Sequence, residues 1–155
     1  MTTSTRTRSR NAGVTERLQV NAATAIDLYS QLKQAHWAIV GPTFIALHEL
    51  FDQQAAAMGK HVDGLAERLR MLDGVPAGTV RQAARLSELD DLPDELLPEQ
   101  EAISALCERY ESFAERIRKD AKGAEETEDL ATQDLYIEIL RDLDMQRWFL
   151  RSHLV

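Results

Sequence analysis

The sequence has one cysteine and no long apolar segment, and both absences limit what the protein can be. Cys107 alone cannot form an intrachain disulfide, and a single thiol in an apolar segment indicates a reducing compartment. We interpret it as a small buried hydrophobe rather than a nucleophile. No run approaches the roughly 20 apolar residues of a membrane span, and residues 1–13 lack the apolar core of a secretory signal. We therefore expect a cytoplasmic protein that makes no membrane contact.

Strand-like alternation, internal repeats and glycine-rich phosphate-binding loops are also absent. Apolar residues instead recur at spacings of three and four, which is typical of helices packed against a core. The pattern predicts long helices over residues 15–39, 43–72, 99–122 and 129–153. Thr43 is expected to cap the second helix, and Gly123 to end the third. The connection over 73–98 is rich in glycine and proline, and a short helix is predicted within it at 81–89.

Two short connections and one long one determine how these helices are arranged. The first pair and the last pair are antiparallel neighbours, because short loops reverse the chain, and the long connection crosses the length of the bundle. We therefore predict an all-α protein, a four-helix bundle over residues 15–155 with one long crossover that carries the short helix. Residues 1–14 are predicted to form a flexible basic tail.

Charge is distributed unevenly between the tail and the bundle. The formal net charge is −8, and Arg6, Arg8 and Arg10 lie in a tail with no acidic residue, so the rest of the chain carries −11. A body of this charge repels nucleic acid and attracts cations. The three arginines are the candidate DNA-binding residues, and they would contact phosphates without reading sequence. The protein would then be associated with the nucleoid.

The second helix carries a stripe of polar and small residues beside its apolar stripe. This polar stripe consists of His48, Asp52, Ala56, Gly59, Asp63 and Glu67. Successive members lie three or four residues apart, so all six share one helix face. That face is offset from the apolar stripe by about one residue, or roughly 100° of rotation. The polar stripe therefore faces something other than the core of its own chain.

The two ends of the polar stripe are each suited to a metal ion, but one helix cannot bring them together. His48 and Asp52 converge across one helical turn. Asp63 and Glu67 converge in the same way, about 16 Å further along the axis. Imidazole and carboxylate ligands suit iron or manganese better than structural zinc, which prefers thiolates.

A two-fold pairing of chains would join these separate ends. If two copies cross antiparallel, His48 of one chain faces Glu67 of the other. Asp52 then faces Asp63, and two aspartates in a dry interface are destabilising without a cation. Each of the two resulting sites combines both chains. His36, at the end of the first helix, is a candidate fifth ligand.

Three other interpretations of the polar stripe stay open at this point. The first is the seam of a helical interaction protein, which predicts no metal at His48 and Asp52. The second is a nucleoid-binding protein that works mainly through DNA contact. The third is a four-helix metal hydrolase or transferase, which requires an accessible pocket. Charged residues spaced in this way are also common on solvated helices. His61 and His153 show no partner pattern, and we interpret them as exposed.

The residues of the candidate site also carry a resemblance to a known family. Residues 33–53, KQAHWAIVGPTFIALHELFDQ, followed by DGLAER at 63–68, resemble the signature of the Dps family, and residues 128–150 resemble its last helix. The His-Trp pair, His-x3-Asp and Asp-x3-Glu all occur at matching spacing. The resemblance covers roughly residues 17–153. It implies a ferritin-like fold that assembles from two-fold dimers into a homo-dodecameric shell.

The resemblance further implies a ferroxidase that oxidises Fe(II), preferentially with hydrogen peroxide, stores ferric mineral and protects DNA from oxidative damage. At most two iron ions would bind at each site between subunits. The implied catalytic and metal-binding residues are His36, His48 and Asp52 from one subunit, with Asp63 and Glu67 from the other.

Other residues take roles from the same resemblance. Trp37, beside His36, is expected to quench stray oxidant. Asp129 and Asp134 are expected to line a three-fold pore through which iron enters, although acids at a helix N-terminus also simply complement its dipole. Gln53 stands where some members have a carboxylate for mineral nucleation, and Glu49 is the weaker nucleation candidate.

Overall fold

The computed structural model describes the backbone of residues 3–154 and the side chains of residues 13–154. Within this range the helices are α1 (Thr3–Ala38), α2 (Phe44–Met71), α3 (Val80–Leu86), α4 (Glu99–Glu126) and α5 (Leu130–Arg151). α1 packs along α2 and α4 along α5, and the crossover that joins the two pairs contains α3. The predicted all-α four-helix bundle with one crossover is confirmed. No helix among the described residues is long and apolar enough to cross a membrane.

A single apolar core lies between the four long helices. Its largest fully buried members are Phe51 on α2, Tyr110 and Phe113 on α4, and Tyr136 on α5. Tyr29 of α1 is 40% exposed. Its ring lies beside the polar stripe, where an added Cβ on Gly59 would meet it at 3.9 Å. The core therefore ends where the polar stripe begins.

Two helix boundaries differ from the prediction. α4 continues through Gly123 to Glu126, so the prediction that Gly123 ends this helix was wrong. A Cβ at Gly123 would lie 1.7 Å from Nη1 of Arg17, so the glycine makes room for a guanidinium instead of ending a helix. α1 begins at Thr3 rather than near residue 15, while the side chains of residues 1–12 lie outside the described part. The division into a tail at 1–14 and a bundle at 15–155 stays a prediction.

Side chains of α1 and α4 hold the crossover against the bundle through its backbone carbonyls. The bonds are Gln31 Nε2 to Asp90 O (3.0 Å), Gln34 Nε2 to Pro93 O (2.9 Å) and Arg109 Nη2 to Asp91 O (2.6 Å). Beyond them β1 (Ile39–Val40) pairs in parallel with β2 (Leu97–Pro98), a two-residue bridge that no sequence pattern predicted. The end of α1 and the loop into α2 are therefore fixed in position.

A buried polar cluster, called here the interior network, joins α1 to α4 and α5. Asn21 donates to Oδ2 of Asp120 at 2.8 Å and to the hydroxyl of Tyr136 at 3.2 Å. Nε of Arg116 donates to Oδ1 of Asn21 at 2.9 Å and lies 3.6 Å from Asp120. Arg17 lies 3.8 Å from the same carboxylate. Because each buried polar group has a partner, the network stabilises one packing of α1 against the second helix pair.

Candidate metal centre

The polar stripe of α2 lies on the surface of the single chain. Its exposed members are Asp52, Ala56, Asp63 and Glu67. Asp63 and Glu67 make no hydrogen bond or ion pair with any described side chain. A Cβ on Gly59 would make only ordinary contact within the chain, so the chain itself does not require glycine there. A face of carboxylates and small residues is thus left open to a second molecule.

His36, at the end of α1, and His48, on α2, fix each other's orientation. Nδ1 of His36 lies 2.6 Å from the backbone carbonyl oxygen of His48, and Nδ1 of His48 lies 2.7 Å from that of His36. Because a carbonyl only accepts hydrogen bonds, both Nδ1 atoms carry the proton. The rings stack with their centroids 3.7 Å apart. Each ring therefore offers the lone pair of Nε2 to a metal ion.

Lys33 belongs to this end of the stripe, although the sequence pattern did not single it out. Its ammonium donates to Oδ1 of Asp52, and it lies 5.8 Å from the ring centroid of Trp37. The hydrogen bond from Lys33 holds the pKa of Asp52 below its ordinary value, so this carboxylate is ionised. Lys33 precedes His36 by three residues, and that helical spacing is the signal that would have indicated it. A metal ion at Asp52 has to displace this ammonium.

The single chain brings together only part of the predicted ligand set. His36, His48 and Asp52 lie at one end of the stripe, and Asp63 and Glu67 lie at the other end. Within residues 13–154, no group of three or more histidine, cysteine or acidic side chains is close enough to hold a metal. The five-residue centre therefore stays a prediction that needs a second chain.

Comparison with known proteins identifies the family. Residues 15–155 match the family described as ferritin-like domain. The chain is 37% identical over 136 residues to the DNA protection during starvation protein of Agrobacterium fabrum, which covers 88% of this chain and 84% of that protein. The protein of the same name from Mycolicibacterium smegmatis is 36% identical over 141 residues, 91% of this chain and 76% of that protein. The chain belongs to the Dps family.

Solved structures of Dps proteins share the same backbone. Dps from Thermosynechococcus elongatus has a TM-score of 0.91 at 30% identity, over 96% of this chain and 94% of that chain. Dps from Mycobacterium smegmatis has a TM-score of 0.90 at 34% identity, over 94% and 89% of the two chains. These similarities confirm the ferritin-like form of the bundle.

The residues of this Dps-family chain with predicted secondary roles are mostly exposed. Trp37 is 69% exposed beside His36. Glu49 and Asp134 are exposed on α2 and α5. Their roles in quenching, nucleation and iron access stay predictions. The side chains of Arg6, Arg8 and Arg10 lie outside the described residues, so their role in DNA binding also stays a prediction.

Asp129 has a defined role within its own chain. Its side chain caps α5 by accepting from the backbone N–H of Thr132 at 3.1 Å and from its hydroxyl at 2.6 Å. Nη2 of Arg68 donates to the same carboxylate at 2.8 Å. Although burial raises the pKa of Asp129, these bonds hold it below its ordinary value. The structure thus gives Asp129 a role in its own chain, and its role at an entry pore stays a prediction.

Three sequence predictions away from the stripe have different outcomes. His61 was expected to be exposed, which is wrong, because Nε2 of His61 lies 2.6 Å from Oδ2 of Asp142 and its side chain is 11% exposed. The two residues are 81 positions apart, so no local pattern could reveal the pair. His153 is exposed as predicted. Cys107 is half-buried against the core, and burial raises the pKa of its thiol, which suits the expectation that it is not a nucleophile.

Proposed function

We propose that this chain is a Dps-type miniferritin that oxidises Fe(II) with hydrogen peroxide at sites shared by two chains and stores the ferric product. The observation that supports this is the open polar stripe of α2, which has ligands at both ends and small residues in its middle. Its relatives named as DNA protection during starvation proteins support the wider role in protecting DNA. We further propose that two-fold dimers assemble into a dodecameric shell in the cytoplasm.

Two-fold pairing would supply what the single chain lacks. His36, His48 and Asp52 of one chain would meet Asp63 and Glu67 of its mate. The site would then have two imidazole nitrogens and three carboxylates, enough to hold at most two iron ions. The hydrogen bonds between each histidine ring and the backbone carbonyl of the other histidine support this arrangement, because they leave both Nε2 atoms free for a metal.

Iron is the substrate, and the side chains act on it through charge and orientation. Three carboxylates stabilise Fe(III) more than Fe(II), because the attraction grows with the charge of the cation. This lowers the reduction potential of the bound iron and favours electron loss. Two Fe(II) ions each give one electron to one hydrogen peroxide molecule, whose O–O bond breaks to form two hydroxide ions. Because both electrons are delivered at one site, no hydroxyl radical is released.

Complementation between two inactive variants tests whether the site is shared. Asp63→Ala and His48→Ala should each abolish fast peroxide-driven oxidation of Fe(II), because each removes a ligand from every site. In a mixed dimer one site combines the intact His48 of one chain with the intact Asp63 of the other. Random co-assembly of the two variants should therefore restore about a quarter of the sites. Stopped-flow oxidation kinetics of co-expressed protein measures the recovery.

The matched control is Asp144→Ala, which removes an exposed aspartate of α5 away from the polar stripe and should leave the rate unchanged. A site contained within one chain predicts no recovery on mixing, because every chain then carries a damaged site. Unchanged oxidation in Asp63→Ala would remove the metal assignment itself.

DNA binding by the N-terminal segment is a second proposed function, favoured by the separation of charge along the chain. Arg6, Arg8 and Arg10 precede a remainder that carries −11, which duplex phosphates repel. Twelve such segments on one shell would bind by avidity, to phosphates only, and with a steep dependence on salt. Deleting residues 1–11 should abolish DNA retardation in a gel shift at low salt. Retardation by the deleted shell would refute the tail as the binding element.

A further inference from the structure

A groove between α2 and α5 contains a histidine that the proposed iron oxidation does not use. The groove has a volume of about 330 Å³. It is lined by Ala57, Lys60, His61 and Gly64 of α2 and by Glu138 and Asp142 of α5. This α2–α5 groove brings one imidazole and two carboxylates to the same surface.

Asp142 orients His61 within the groove. Nε2 of His61 lies 2.6 Å from Oδ2 of Asp142, and Nε2 of Gln146 donates to Oδ1 at 2.9 Å. The fully buried amide of Gln54 in turn donates to the backbone carbonyl of Gln146 at 3.0 Å. Although burial raises the pKa of Asp142, the hydrogen bonds from His61 and Gln146 hold it below its ordinary value. The carboxylate is therefore ionised and accepts from both side chains.

This contact determines which ring nitrogen of His61 is available to a ligand. A carboxylate accepts hydrogen bonds, so Nε2 is the donor, and the tautomer that this contact favours has its lone pair on Nδ1. Nδ1 has no hydrogen-bond partner among the described residues. Histidines that bind metals commonly donate their other ring N–H to a carboxylate, which fixes the ring and raises its basicity. His61 and Asp142 have this arrangement.

We propose that the α2–α5 groove binds a divalent transition-metal ion, with Nδ1 of His61 as its nitrogen ligand. Glu138 lies one helical turn before Asp142, and its carboxylate supplies an oxygen ligand from the same groove. Water completes the coordination sphere, because these two ligands alone leave positions open. The ammonium of Lys60 opposes a cation in the groove, so the site is weak.

This site is separate from the polar stripe. His61 precedes Asp63 by two residues, which is about 200° of rotation around α2. The two side chains therefore point to opposite sides of the helix, and a metal in the groove cannot use Asp63. The proposal is thus independent of the proposed iron oxidation.

Co(II) is a suitable probe, because it stays divalent in air and binds imidazole and carboxylate ligands. Full-length protein carrying His48→Ala and Asp63→Ala, which disables the polar stripe, is dialysed against Co(II), and bound metal is counted. Adding His61→Ala should remove about one Co(II) ion per chain. Asp142→Asn should weaken that binding about tenfold or more, since loss of the group that orients a ligand costs this much. His153→Ala, the matched exposed histidine, should remove none.

Anomalous diffraction from Co(II)-soaked crystals of the same protein should place a metal beside Nδ1 of His61. A full complement of Co(II) in the His61→Ala variant, or cobalt density only away from His61, overturns the proposal. If His61→Ala does not assemble, Glu138→Gln is measured in its place. Unchanged Co(II) affinity in that variant, together with no cobalt density beside His61, likewise overturns the proposal. The polar stripe is disabled throughout, so failure of iron oxidation in the unmodified protein leaves this result unaffected.

Discussion

Asp120 and Asp63 are both aspartates on long helices, but their surroundings differ completely. Asp120 is 4% exposed, accepts a hydrogen bond from Asn21 and lies close to two arginines. Asp63 is exposed and makes no bond to any described side chain. The charge of Asp120 is balanced when the chain folds, whereas the charge of Asp63 is left for a ligand from outside. The interior network thus uses an aspartate for stability, and the polar stripe uses the same residue type for the proposed metal binding.

The largest expected effect is on stability, from Asp120→Ala. The substitution removes the acceptor for Asn21 and a carboxylate shared by two guanidinium groups, of which only Arg116 keeps another acidic partner. We therefore expect the free energy of unfolding to fall by about 3 kcal/mol. Urea unfolding of the full-length protein, followed by circular dichroism, measures the change. Asp63→Ala should change the free energy of unfolding by less than about 0.5 kcal/mol. Equal losses in the two variants would contradict the division between a stabilising aspartate and an unbonded one.

An intermediate effect is expected at Asp129, which is acidic like the stripe but bonded within its chain like Asp120. The pKa of Asp129 is lower in the folded state than in the unfolded state. The ionised carboxylate therefore stabilises the fold fully at a pH above the unfolded-state pKa. This stability is lost as the pH falls through the folded-state pKa. We expect Asp129→Ala to cost about 1–2 kcal/mol at neutral pH, because it removes the cap of α5.

The pH dependence separates the charge of Asp129 from its packing. The stability difference between the Asp129→Ala variant and the unchanged protein should shrink as the pH falls below the ordinary value of 3.8. Urea unfolding at a series of pH values measures it. A difference that does not vary with pH would assign the loss to packing instead.

The smallest expected effect is at Lys33, which already occupies one carboxylate of the polar stripe. Lys33→Gln removes the ammonium that iron has to displace from Asp52, so the Fe(II) concentration for half-maximal oxidation should fall by less than about tenfold. Oxidation rates across a series of Fe(II) concentrations measure the shift. Lys119→Gln, an exposed lysine of α4, is the control. A rise after Lys33→Gln would mean that Lys33 orients Asp52 for iron rather than competing with it.

The helices and the polar stripe were predictable because both depend on spacing along one helix. The three-and-four periodicity placed the long helices, and the stripe on α2 is exposed as that spacing required. The assignment of Gly123 as a helix end failed for a physical reason. Glycine ends a helix where its backbone leaves the helical conformation, but Gly123 stays helical, and the guanidinium of Arg17 occupies the space that a side chain would take.

The sequence by itself determined the all-α architecture, the single crossover and the face on which candidate ligands lie, because these are properties of local periodicity and chain order. Only the tertiary structure decided how individual side chains are paired. Asn21 and Asp120 are 99 residues apart and His61 and Asp142 are 81 apart, so their contacts exist only once the helices pack. Packing also decided that the Nδ1 atoms of His36 and His48 contact each other's backbone carbonyls, which leaves both Nε2 atoms free. In His61, by contrast, Nε2 contacts a carboxylate, which leaves Nδ1 free. The physical reason is that a ring nitrogen becomes available according to what the other nitrogen contacts, and that contact lies on another helix.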